Sequence, residues 1–127
     1  MKKKLLMLLA IALPLVCAKS NAQAVITFEK STVELGTFNE NQPQNCVFEF
    51  TNTGDKPLVI HQAFASCGCT KPEYTPEPIA PGQKGQIRVT YDGKGKPLGE
   101  FTKPISVRSN ASNSLVRIYI HGKMKKQ

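Results

Sequence analysis

In Cys46-Val47-Phe48-Glu49-Phe50-Thr51-Asn52-Thr53-Gly54-Asp55-Lys56-Pro57-Leu58-Val59-Ile60, Cys46, Phe48 and Phe50 alternate with Val47 and Glu49, a turn breaks the run, and Leu58 and Ile60 resume it. A period of two is that of a half-buried strand, because successive side chains point to opposite faces of a sheet. Asn52-Thr53-Gly54-Asp55 supplies the break, and Gly54 is free to take a positive φ there. The pattern spreads outward in both directions. Ile26/Phe28 and Val33/Leu35 alternate before it, and Ile87/Val89/Tyr91, Ile105/Val107 and Val116/Ile118/Ile120 after it. Pro81-Gly82, Asp92-Gly93-Lys94-Gly95-Lys96-Pro97 and Asn110-Ala111-Ser112-Asn113 punctuate these runs. Asn110-Ala111-Ser112 matches a glycosylation sequon and is read here as a turn. With no helical period to cover a sheet, short strands at this spacing predict an all-β, immunoglobulin-like antiparallel β-sandwich of about seven strands. One segment is irregular. Leu58 and Ile60 are even-numbered, whereas Ala63, Ala65, Cys67 and Cys69 are odd-numbered, so both sets reach the core only across a bulge or a sheet switch near His61 and Gln62.

Ahead of the strands lies a different kind of segment. Lys2, Lys3 and Lys4 precede an apolar run, Leu5 to Val16, too short to span a bilayer comfortably, and Ser20-Asn21-Ala22-Gln23-Ala24 offers small residues for cleavage. Residues 1–24 are expected to be a signal peptide, cut after Ala22 or Ala24, and 25–127 one Ig-like domain with a single core. Cys17 follows the apolar run where a lipoprotein would be acylated, but Val16 stands where a small residue is expected; membrane attachment is therefore expected only if Cys17 is lipidated. The chain's net charge is +8, and Lys2, Lys3, Lys4 and Lys19 leave with the leader. The halved charge is a solubility feature and gives no case for nucleic acid. The expected location is the periplasm or the cell exterior.

Three cysteines remain after cleavage: Cys46, Cys67 and Cys69. Chemistry concentrates in Ser66-Cys67-Gly68-Cys69-Thr70. On a regular strand a C-x-C pair points both thiols to one face with Cα atoms roughly 6.6 Å apart, the upper edge of disulfide geometry. A bend at Gly68 relieves this. Three outcomes are open: a Cys67–Cys69 bridge, a bridge from one of them to Cys46, or two thiolates aimed at a soft metal such as Cu(I). The plainer reading is a small buried turn. Ser66, Gly68 and Thr70 are the flanking motif or partner-contact positions. Cys46 shares the inward face with Phe48 and Phe50, where a small core residue is expected. His61 and His121 have no carboxylate or nucleophile nearby in sequence. No catalytic residues are assigned and no cofactor other than the Cu(I) alternative is expected.

Val33-Glu34-Leu35-Gly36-Thr37-Phe38, the stretch from Phe48 to Ile60, Ser66-Cys67-Gly68-Cys69-Thr70 and Ile79-Ala80-Pro81-Gly82-Gln83-Lys84-Gly85 together resemble, in order, a bacterial domain of unknown function, number 1573 in its series. Phe101, Lys103 and Ser109-Asn110 continue the match. The resemblance implies an exported Ig-like domain common in Bacteroidetes and relatives, with no assigned reaction, and Cys46 departs from its pattern. The Asn-Thr-Gly-Asp-x-Pro-Leu piece is also similar to modules of the hydin and sperm-protein type, which serve in interactions. More loosely, Cys67-Gly68-Cys69 followed by Pro81-Gly82 and a strand is similar to the copper-delivery factor of cytochrome oxidase, although glycine replaces the aromatic residue between the thiols. The leading expectation is a non-catalytic binding or scaffolding module for a protein or cell-envelope partner; the alternative is Cu(I) binding or thiol-redox handling by Cys67 and Cys69. Intact-mass measurement of the protein recovered from the envelope should place the first residue at Gln23 or Val25; a retained Met1 or an acylated Cys17 would contradict the reading of the leader.

Overall fold

The computed structural model describes residues 22–126, so the expected leader lies outside the described residues apart from its last three positions. Eight strands follow one another: β1 (Ile26–Phe28), β2 (Thr32–Asn39), β3 (Gln44–Asn52), β4 (Ile60–Phe64), β5 (Thr70–Tyr74), β6 (Lys84–Tyr91), β7 (Gly99–Ser109) and β8 (Leu115–Lys125). They form two four-stranded sheets, ordered β1-β3-β6-β5 and β2-β8-β7-β4. The alternating sets close on one another as the sequence predicts. Phe48, Phe50, Ile87, Val89, Tyr91, Ile105, Val107, Ile118 and Ile120 are all buried between the sheets.

Two features refine the expected architecture. The eighth strand is β5, Thr-Lys-Pro-Glu-Tyr, in which only Thr70 is fully buried. Its pattern is mostly polar because it is an edge strand, the position in a sheet that tolerates a proline such as Pro72. The other is the pairing of β2 with β8, which is parallel, with a register shift between Glu34 and Gly36. The chain leaves the first sheet after Phe28 and continues into the second, where it runs beside the last strand. Gly36 occupies the irregularity with φ +75°, a conformation that favours glycine. The bulge expected near His61 and Gln62 is present: β4 shifts register against β7 between Ile60 and Gln62, and Leu58 and Ile60 are both buried.

One end of the sandwich is fastened by an amide. Asn52, the last residue of β3, is wholly buried. Its Oδ1 accepts from the N–H groups of Val25 (3.3 Å) and Gly54 (3.0 Å), and its Nδ2 donates to the carbonyls of Lys56 (2.7 Å) and Ile79 (2.9 Å). Its own backbone N–H donates to Gln83 O, and its carbonyl accepts from Gly82 N–H. The Pro81-Gly82 turn is thereby docked on β3, with Gly82 at φ +81° and a Gln83 N–H to Ala80 O bond closing it. Gly54 does not need a positive φ. Instead, a Cβ there would collide with the backbone of Gln23, Ala24 and Val25, which lies against it.

Across the β2–β8 pair, Glu34 faces His121. Their side chains meet at 2.5 Å, from His121 Nδ1 to Glu34 Oε2, with the imidazole about one-third exposed. The hydrogen bond to Glu34 raises the His121 pKa above 6.5; desolvation opposes it, and the charges of Glu34 and Glu100 reinforce it.

Replacing Asn52 by Ala removes four hydrogen bonds at once and should cost about 2–4 kcal/mol by denaturant unfolding. A loss below about 1 kcal/mol, the level of an ordinary surface change, would remove Asn52 from this role. For His121, an NMR titration should show a midpoint above 6.5 that returns toward that value in Glu34→Gln. Because the folded-state pKa is the higher one, the pair's stabilisation is fully present below the unfolded pKa and is lost as pH rises through the folded value.

Candidate functional site

β4 follows β7 only from Ser109 to Ser106, where Phe64 ends the ladder. Residues 65–69 then leave the second sheet and cross to the first, where Thr70 faces Tyr91 of β6. The apolar side chains of the crossover, Ala65, Cys67 and Cys69, face inward, which draws the chain over the edge of the core. Asp92 N–H donates to Cys69 O at 2.8 Å, Thr70 N–H donates to Cys67 O at 3.1 Å, and Tyr74 Oη donates to His61 O at 3.2 Å. The Tyr74–His61 bond joins the two edge strands, and the other two hold the crossover, independently of the disulfide.

Cys67 and Cys69 are joined by a disulfide, with Cα atoms 5.1 Å apart. The spacing is shorter than on an extended strand because the segment turns, as the Thr70 N–H to Cys67 O bond shows. Cys69 is buried and Cys67 half-buried. Cys69 N–H donates to Cys67 Sγ at 3.2 Å, and Thr70 Oγ1 lies 3.5 Å from Cys69 Sγ. Thr70 is buried, while Ser66 and Gly68 are exposed. Gly68 corrects the sequence reading. Its φ is not positive, and a Cβ built on it meets nothing within 4 Å, so the turn does not depend on glycine.

Cys46 stands apart. It faces Val89 on the side of β6 opposite β5, whereas Cys69 bonds to Asp92, three positions further along. That separation exceeds disulfide reach, and Cys46 is a free thiol. Burial pushes its pKa up to about 11, which leaves it a poor nucleophile. In the bridged state neither Cys67 nor Cys69 offers a thiolate, so Cu(I) ligation by the pair first requires reduction. Among the described residues no group of three or more His, Cys, Asp and Glu side chains gathers as a metal site.

Aromatic rings floor this end of the sandwich. Tyr91 stacks on Phe101 at 4.4 Å, and Phe38 meets both edge-on at 6.0 and 5.8 Å. Gly122 makes room for them: a Cβ there would come within 3.0 Å of the Phe101 and Phe38 rings. Burial and the Asp92 charge raise the Tyr91 pKa. Sequence reasoning missed this cluster; its only signal was a glycine, Gly122, interrupting an otherwise regular strand. Beyond the point where β4 departs, the Gly99–Ile105 part of β7 pairs with β8 alone among the described strands.

Solved structures share the fold. A protein of unknown function from Porphyromonas gingivalis W83 superposes with a TM-score of 0.70 at 20% identity, covering 80% of this chain and 48% of that one, so the chain spans about half its length. The ASH/PapD-like domain 7 of human CEP192 gives 0.62 at 8% identity, covering 84% and 89%. The YadV chaperone gives 0.59 at 17% identity, covering 79% and 52%. These identities carry the fold alone. No curated protein matches the chain. A family model does match it, over residues 26–124, from the start of β1 to the last residue but one of β8, and the chain belongs to that family, described as protein of unknown function (DUF1573).

Proposed function

We propose that the domain is an exported, non-catalytic module that binds a protein partner of the cell envelope along the open edge of β7. The observation that carries this reading is the early departure of β4, which leaves Gly99–Ile105 with one flank of backbone unpaired by any described strand. An extended segment added to such an edge gains main-chain hydrogen bonds, and side-chain pockets supply its specificity. Pro104 lacks an N–H, and Lys103 brings a charge; both discourage the same edge from pairing with copies of itself. The usable stretch is therefore Gly99 to Lys103, beside the half-buried Phe101 ring. Likeness to the YadV protein, named as a chaperone, and to the ASH/PapD-like domain of CEP192 supports a protein-binding role.

A photo-crosslinking residue at the exposed position 102, introduced in cells, should give an adduct with an envelope protein. The same residue at position 112, at the Asn52 end, should not. If the exported, folded protein gives no adduct at position 102, or equal adducts at both positions, the β7 edge is not the binding surface.

A further inference from the structure

The Cys67–Cys69 bridge has little to do as a staple. It closes a loop with one residue between the cysteines, and the chain entropy removed by a cross-link falls with loop length. The crossover is already held by the bonds at Cys69 O, Cys67 O and His61 O. The two sulfurs are also unequal, since Cys67 is half-buried and Cys69 is 6% exposed. The residue between them is exposed and needs to be glycine for neither φ nor space. Each sulfur has a donor in place, the Cys69 N–H on Cys67 Sγ and the Thr70 hydroxyl beside Cys69 Sγ. Such donors stabilise the thiolates that form when a disulfide opens.

We propose that Cys67–Cys69 is a redox-active disulfide that exchanges with a protein dithiol. A partner thiolate attacks Cys67 Sγ, the sulfur of the less buried cysteine. A partner–Cys67 bond forms, the Cys67–Cys69 bond breaks, and Cys69 leaves as a thiolate that accepts a hydrogen bond from the Thr70 hydroxyl. The partner's second thiolate then attacks its own sulfur in the mixed disulfide, and Cys67 leaves as a thiolate facing the Cys69 N–H. Two electrons pass to this chain, the partner is left with a disulfide, and the two thiolates take up the protons the partner's thiols gave to solvent. Cys46 takes no part, being too distant and protonated. The inference is independent of the β7 reading, which requires no sulfur.

The test uses the oxidised full mature chain with reduced glutathione as the probe thiol, acid quenching and peptide mapping, and circular dichroism to follow the fold. Glutathione should cap Cys67 at least about tenfold more than Cys69, while the strand signal is retained. Thr70→Val should shift the equilibrium with a glutathione redox buffer toward the bridged form, and Thr70→Ser should restore it; a purely structural threonine would change the unfolding midpoint without moving this equilibrium. The proposal is overturned if the bridge opens only as fast as the domain unfolds, if glutathione distributes equally over both cysteines, or if Thr70→Val leaves the redox equilibrium unchanged. Loss of crosslinking at position 102 with exchange intact would remove the β7 reading alone.

Discussion

The sandwich depends on how one buried amide is satisfied. Asn52 lies at the end of β3 where four pieces of backbone converge: the N-terminal segment, the turn after β3, the approach to β4 and the segment before β6. None of these is in a regular ladder, so the N–H groups of Val25 and Gly54 and the carbonyl of Lys56 take their bonds from this side chain, each such net bond contributing about 0.5–1.5 kcal/mol. A carboxamide presents an acceptor and two donors in one plane and serves all four. Neighbouring asparagines extend the arrangement. Asn110 bonds Val59 N–H and Pro57 O, and Asn113 bonds both the N–H and the carbonyl of Ile26. Every buried side-chain nitrogen and oxygen among the described residues has a partner.

The opposite end is built on other principles. There the rings of Phe38, Tyr91 and Phe101 pack with Met124, and glycines at 93 and 122 replace side chains that would strike them. Apolar packing of this kind is non-directional and asks nothing of the edge strands. The chain can therefore leave β7 early and cross between sheets by way of the cysteine turn. Polar closure at one end fixes the register; apolar closure at the other leaves backbone and a disulfide near the surface.

What was legible in the sequence follows from which forces are periodic. Burial repeats every second residue, so the inward sets and the bulge after Ile60 could be read directly. β5 could not, because Lys71, Pro72 and Glu73 carry the polarity of an edge. Tertiary pairings left no trace: Glu34 and His121 are 87 positions apart and meet only because β2 changes sheets. Asn52 and Gly54 were visible as turn residues, yet what requires them is the proximity of residues 23–25, a long-range contact. At the cysteines the sequence left three pairings open, and the register on β6 separated Cys46 from the other two.

The parallel β2–β8 pair has a mechanical consequence. Its hydrogen bonds join the second strand of the domain to the last, running from Thr32↔Tyr119 to Asn39↔Lys125. Tension applied to the two ends of the domain pulls these strands past each other along their length. The ladder is then loaded in shear, with its bonds sharing the force, and it does not unzip one bond at a time. A domain tethered at one end and gripped by a partner would resist extension at this seam, and the Glu34–His121 contact would make that resistance sensitive to acidity.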